Sequence, residues 1–148
     1  MGRFRRLLVP LDFSKDADAA LDLAIALAKE QGAEIHLVHA YELPAAVAMA
    51  YGVAIPQTVW EGVQEAASER LQQGLARVKK AGVSGKTHLV TGPAADAITS
   101  AAAAQKADLI VMGTRGLTGL KHVLLGSVAE RVLRTAPCPV LTVKSEAS

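Results

Sequence analysis

Asp108-Leu109-Ile110-Val111-Met112-Gly113-Thr114-Arg115-Gly116 is an apolar run that stops on a glycine-bearing turn, and further along Gly126-Ser127 opens a helical pattern. A short continuous apolar run fits a strand buried on both faces, as parallel sheets require. A strand that leads through a glycine-bearing loop into a helix N-terminus is a ready anion site. Glycines let the backbone approach a ligand, and the first helical N–H groups lack partners. Arg115, Lys121 and His122 add positive charge or donors to the same loop. Ser127 is an N-cap by residue type, and its hydroxyl is alternatively free to face a phosphate. The stretch reads as a phosphate cradle for a nucleotide.

Working outward, the same strand-then-helix grammar repeats. Arg5 to Leu11 carries a second apolar run, ended by Asp12, and Ser14 caps the helix that follows, with Asp16 and Asp18 suiting its macrodipole. Ala17, Ala20, Leu21, Ala24, Leu27 and Ala28 recur at helical spacing until Gly32. Ile35 to Tyr41 predicts a strand. Glu42 to Gln57, bounded by Pro44 and Pro56, has no clear period, and loops of that length tend to be functional. A long helix follows, with Trp60, Val63, Ala67, Leu71, Leu75 and Val78 on one face. Lys86 to Val90 predicts a strand, Gly92-Pro93 starts a helix with Pro in its first turn, and Ser127 to Arg134 and Val140 to Val143 predict the last helix and strand. Strands alternating with helices imply parallel pairing through right-handed crossovers, hence an open doubly wound α/β sheet. Residues 1–148 form one domain, with no repeat or linker to suggest a second.

Composition removes several classes. Half the chain is apolar (51%), which excludes disorder, while aromatics are 3%, too few for base stacking on single strands. A net charge of +2 does not mark a nucleic-acid binder, and Arg3, Arg5 and Arg6 read as a solvated terminus. One cysteine, Cys138, excludes an internal disulfide and reads as a small packed residue. Asp12, Lys15 and Asp16 interrupt any signal-peptide core, Arg6 stands where a myristoylation signal needs Ser or Thr, and the apolar stretch from Ala45 to Ile55 is too short to span a bilayer. The expectation is a cytoplasmic protein without nucleic-acid or membrane partners.

In open α/β sheets the ligand lies beyond the carboxyl ends of the strands where the strand order reverses. If the first and fourth strands are neighbours there, Asp12 and the glycine loop face one crevice. Asp12 then has two readings: it binds a ribose hydroxyl or a phosphate-held metal, or it supports the helix start. Two decoys fall away. Gly85-Lys86-Thr87 ends like a P-loop, but Lys80 stands where the motif needs its first glycine, and the tripeptide enters a strand; it reads as a turn. No Gly-x-Gly-x-x-Gly follows the first strand, which argues against an NAD or FAD enzyme. His36, His39 and His88 fall on strands and read as satisfied core or edge histidines. No general base stands beside the loop except Asp12, a weak catalytic candidate.

Gly113, two residues, Gly116, nine residues, Gly126-Ser127 resembles the Gly-x2-Gly-x9-Gly-Ser/Thr signature of the universal stress protein family. The flanks agree, with Asp108-Leu-Ile-Val-Met before it, Ala136-Pro-Cys-Pro-Val-Leu-Thr-Val after it, and Leu7-Leu-Val-Pro-Leu-Asp-Phe-Ser at the start. The resemblance implies a Rossmann-like, adenine nucleotide alpha hydrolase-like sheet of five parallel strands in order 3-2-1-4-5. It also implies the ATP-binding subgroup, which keeps this motif. By similarity Pro10, Leu11 and Asp12 lie near the nucleotide's sugar or its Mg2+, Ala40 borders the adenine, and Met112 and Gly113 line the sugar side. Arg115, Gly116, Gly126, Ser127 and Val128 belong to the phosphate end. The family implies a homodimer through the last strand, here Val140, Leu141 and Val143.

Three functions follow. The favoured one is a stress-response module whose conformation is held by ATP, or by ADP or AMP, with Mg2+. The alternatives are a slow ATP hydrolase and a nucleotide-free dimeric interaction protein.

Overall fold

The computed structural model describes residues 3–42, 49–52, 55–115 and 125–145. Strands and helices alternate as β1 (Arg6–Pro10), α1 (Lys15–Gln31), β2 (Glu34–Tyr41), α2 (Gln57–Lys80), β3 (Gly85–Thr91), α3 (Ala94–Ala104), β4 (Leu109–Gly113), α4 (Ser127–Thr135) and β5 (Val140–Val143). The strands pair in the order β3-β2-β1-β4-β5, every pair parallel. The sheet is doubly wound, as the alternation required.

The period of the strands sorts their side chains into two cores. Leu7, Val9, Ile35, Leu37, Leu109 and Val111 pack with Leu21, Leu71 and Val78 of α1 and α2. Leu8, Val38, Ile110 and Met112 pack with Ile98, Ala101 and Val132 of α3 and α4. Each fully buried leucine contributes roughly 2 kcal/mol of transfer free energy, so continuous apolar strands are what this fold demands. α1 meets the sheet through alanines: Ala17, Ala20, Ala24 and Ala28 are all buried, and their short side chains bring the helix axis close.

The switch point opens for a reason written in β1. The Arg6 carbonyl accepts the Asp108 N–H (3.0 Å), whereas the Leu11 N–H donates to the Val38 carbonyl (2.8 Å). Even positions of β1 therefore address β4 and odd positions address β2. Pro10 is the even position at the strand's end and has no N–H to give. Accordingly the β1–β4 register stops at Leu8↔Ile110, while β1–β2 continues to Pro10↔Val38 and β4–β5 to Gly113↔Val143. A crevice opens between β1 and β4 at their carboxyl ends.

Some boundaries differ from the sequence reading. Gly85 is the first residue of β3, not a turn: a Cβ there would stand 2.8 Å from Leu75 Cδ1 and 3.0 Å from Val78 Cγ1, so glycine lets α2 cross the strand. Pro93 occupies the N-cap of α3 rather than its first turn. Trp60 and Val63 are half-buried, and the buried face of α2 is Ala67, Leu71, Gly74 and Val78. The expected functional loop from Glu42 to Gln57 lies largely outside the described residues.

Candidate functional site: a cleft at the switch point

Leu11, Val38, Ala40, Ile98 and Met112 make an apolar wall of the crevice between β1 and β4, and Thr114, Arg115, Gly126 and Ser127 make a polar end. Of the residues assigned to nucleotide contact, Pro10, Leu11, Asp12, Ala40, Met112, Gly113, Arg115, Gly126, Ser127 and Val128 line this one cleft. Gly116 lies outside the described residues, as do Lys121 and His122.

Two helices start at the cleft without side-chain caps. The first intrahelical bond of α4 runs from Glu130 N–H to the Gly126 carbonyl (2.9 Å), so the N–H groups of Ser127, Val128 and Ala129 precede the ladder. The first bond of α3 runs from Ala97 N–H to the Pro93 carbonyl (3.0 Å), and Ala94 and Ile98 also line the cleft. Ser127 is not the N-cap its residue type suggested. Gly126 holds that position with φ −70° and ψ 162°, and no side chain caps the helix. The glycine's own N–H donates to the Thr114 carbonyl (2.6 Å), which ties α4 to the end of β4 and leaves the Ser127 hydroxyl on the exposed first turn.

Asp12 is half-buried at the opposite rim, and its Oδ1 accepts the Ser14 N–H at 3.0 Å. The carboxylate supports the start of α1, as one of its two readings held, and it also lines the cleft. Ser14 caps α1 as expected, its Oγ accepting the Ala17 N–H at 3.1 Å. The turn between β1 and α1 passes through Phe13 in the left-handed region, φ 66°, a conformation that costs about 1 kcal/mol or more outside glycine. Arg70 lies 4.2 Å over the Phe13 ring and His39 4.6 Å from it, contacts that offset the strain.

Asp16 is the residue whose role the sequence concealed. It was read as a macrodipole charge on a first turn, yet its carboxylate is buried and hydrogen-bonded by Thr114, Arg115 and Ser145. Oδ2 takes the Thr114 hydroxyl (2.9 Å), the Arg115 N–H (3.2 Å) and Arg115 Nε–H (3.3 Å), and Oδ1 takes the Ser145 N–H (3.1 Å). Burial raises the pKa of this group. Hydrogen bonds from the Ser145 backbone, Thr114, the Ser145 side chain and Arg115 outweigh it and hold the carboxyl below its ordinary value. Arg115 is therefore not a free loop cation; it is anchored through Nε.

His36, His39 and His88 each have a hydrogen-bond partner, as their strand positions led one to expect. His36 is buried, and its Nε2–H donates to Glu34 Oε1 (2.8 Å) while its Nδ1 accepts from His88 Nε2–H (2.9 Å). The hydrogen bond from His36 lowers the Glu34 carboxyl, and burial pushes it back only in part. His39 was expected to be structural, and its Nδ1–H does donate to the Leu11 carbonyl (2.6 Å), but the ring also lines the cleft. Among the described residues, no group of three or more His, Cys, Asp or Glu side chains is placed to hold a metal ion. Asp12 is the carboxylate among the described residues that line the cleft. Cys138 is half-buried against the α3–α4 core; burial and then the charge of Asp108 push its thiol up. Among the described residues no helix is long and apolar enough to cross a membrane.

These features define a class: a doubly wound α/β domain whose cleft opens between β1 and β4 beneath uncapped helix N-termini. The chain belongs to the universal stress protein family, whose family model matches residues 3–144. Universal stress protein MJ0531 of Methanocaldococcus jannaschii is 39% identical over 145 residues, covering 95% of this chain and 82% of the relative. The solved structure of MJ0577 from the same organism superposes with a TM-score of 0.85 at 28% identity, covering 98% of this chain and 99% of that one. A universal stress protein solved in complex with cAMP superposes with a TM-score of 0.68 at 28% identity, covering 97% and 98% of the two chains.

Proposed function

We propose that this protein binds an adenine nucleotide, ATP carried with Mg2+, in the cleft between β1 and β4, and acts as a cytoplasmic, homodimeric stress-response module read by its partners. The observation that carries the reading is the polarity of the cleft. One end offers the N–H groups of Ser127, Val128 and Ala129 with Gly126 beside them, a site suited to phosphates. The other end is an apolar slot between Ala40, Val38 and Ile98, wide enough for a base because Ala40 is small. Asp12 lines the same cleft, and its carboxylate is the group proposed to meet the sugar hydroxyls or the metal. A solved family member in complex with cAMP supports an adenine nucleotide as the ligand class.

Binding is the primary reading and slow hydrolysis the alternative, with Asp12, one oxygen of which holds the Ser14 N–H, as the weak candidate for a base. Calorimetry on nucleotide-stripped protein tests the reading. ATP should bind in the micromolar range, roughly 8 kcal/mol at about 1 μM. Absence of heat with ATP, ADP and AMP alike, together with no nucleotide released on denaturation, refutes it.

A further inference from the structure

Asp16 lies just behind the polar end of the cleft, and no step of nucleotide contact uses it. Its carboxylate joins three chain segments: the first turn of α1, the exit of β4 at Thr114 and Arg115, and Ser145 beyond β5. Gly113 makes this possible, because α1 passes so close that a Cβ there would stand 2.7 Å from Asp16 Cβ. We infer that Asp16 is a positioning residue that holds the Arg115 guanidinium for the anionic end of the ligand. The inference rests on the nucleotide reading of the same cleft.

The argument is one of geometry and sign. Arg115 is bound to Asp16 through Nε and its backbone N–H, with its side chain only 13% exposed. Among the described residues its two Nη groups have no partner, and they offer the planar fork that suits phosphate oxygens to a ligand at the cleft wall. A bare carboxylate behind a phosphate site would repel the phosphate. Here one guanidinium matches the charge, and the Thr114 hydroxyl and the Arg115 and Ser145 N–H groups occupy its lone pairs. What remains is the ordering of a four-torsion side chain before the ligand arrives, worth about tenfold in affinity. The two effects have opposite sign, so removing the carboxylate decides between them.

The experiment compares ATP with adenosine on the full-length wild-type protein and on Asp16→Asn, by calorimetry and by competition against a fluorescent ATP analogue. Asp16→Asn should weaken ATP about tenfold while leaving adenosine within about twofold. A purely structural role would move both ligands together, and simple repulsion would make ATP bind tighter; either result overturns the inference. If Asp16→Asn does not fold, Arg115→Lys serves: a lysine ammonium paired to Asp16 has no second fork, so ATP should again weaken about tenfold with adenosine unchanged. Retained ATP affinity in Arg115→Lys overturns the inference. Wild-type protein that takes up neither ligand overturns the nucleotide reading itself, and this inference with it.

Discussion

Gly113→Ala separates packing from ligand chemistry at the heart of the glycine motif. Gly113 is the last residue of β4, and the constraint on it is contact rather than backbone angle. A Cβ there would meet Asp16 Cβ at 2.7 Å, the Asp16 carbonyl carbon at 2.8 Å and Ala17 N at 3.0 Å. None of these is a flexible side-chain end, so the N-terminus of α1 must retreat from the strand. Overpacking of this kind costs about 1–3 kcal/mol. The retreat also stretches the Thr114 and Arg115 hydrogen bonds to Asp16, and weakening bonds to a buried charge adds about 1 kcal/mol or more. Near 3 kcal/mol, and at about 2–4 °C per kcal/mol for a chain of this size, the melting temperature should fall by about 6–12 °C. Gly74→Ala is the matched control. Its Cβ would meet the methyl ends Leu11 Cδ1 (2.9 Å), Leu37 Cδ1 (3.3 Å) and Leu21 Cδ2 (3.9 Å), which can rotate, and alanine gains about 1 kcal/mol in a helix. It should stay within about 1 kcal/mol of wild type. Differential scanning calorimetry without nucleotide reads both. A Gly113→Ala midpoint within about 2 °C of wild type, or a Gly74→Ala loss as large as that of Gly113→Ala, refutes the reasoning.

Further outcomes follow from the same contacts. Burial first, then the neighbouring His36 and Lys86, hold His88 below its ordinary 6.5. A folded value below the unfolded one means the native state binds fewer protons, so the contribution is full above about pH 6.5 and lost as the pH falls through the folded value. His88→Gln should flatten the urea-midpoint profile on that acid side; an unchanged slope counts against the assignment. The raised Cys138 thiol should alkylate more slowly than free cysteine at about pH 8 in the native state, and equal rates would contradict its burial. Among the described residues β5 pairs on one side only, with β4, and Leu141 is 36% exposed. Under the proposed dimer through Val140, Leu141 and Val143, Leu141→Lys should shift sedimentation to the monomer, and an unchanged profile removes that strand from the interface.

The parts of this molecule that sequence discloses are those set by period and by residue type. Leu7 to Val9, Ile35 to Val38 and Leu109 to Met112 are apolar at every step but His36, and that continuity alone places them inside a sheet covered on both faces. The cleft was legible because β1 and β4 end in residues, Asp12 and Gly113, that a buried strand does not need. The opposite wall was not, since Val38, Ala94 and Ile98 are ordinary core residues by type and only the crossing of α3 brings them to the crevice. Nor was the Asp16 junction: Thr114, Arg115 and Ser145 lie far from it in sequence, and an aspartate in a first turn already has a sufficient explanation. Ser127 misled for a related reason. Cap preference follows residue type, whereas the bond from Gly126 N–H to the Thr114 carbonyl sets where α4 begins.

The helix starts around the cleft are unequal, and the inequality orients the proposed ligand. Each N-terminus carries roughly half a positive charge. At α1 that charge is already answered, since Ser14 Oγ takes the Ala17 N–H and the first turn holds Asp16 and Asp18. At α3 the first turn holds Asp96, itself paired with Arg131 of α4 at 3.3 Å. At α4 there is no side-chain cap, and the first-turn acid, Glu130, is bonded to Arg134. An anion entering the crevice therefore meets uncapped first-turn N–H groups at α3 and at α4, and what sets α4 apart is the anchored Arg115 at the same polar end of the cleft. A nucleotide laid with its phosphates there puts its base against Ala40, Val38 and Ile98. Laid the other way, it sets phosphates against an apolar wall with Asp12 close by. Desolvating phosphate charge on that wall costs several kcal/mol against the first-turn N–H groups of α3 alone, and for this reason the proposed ligand is expected with its phosphates at α4.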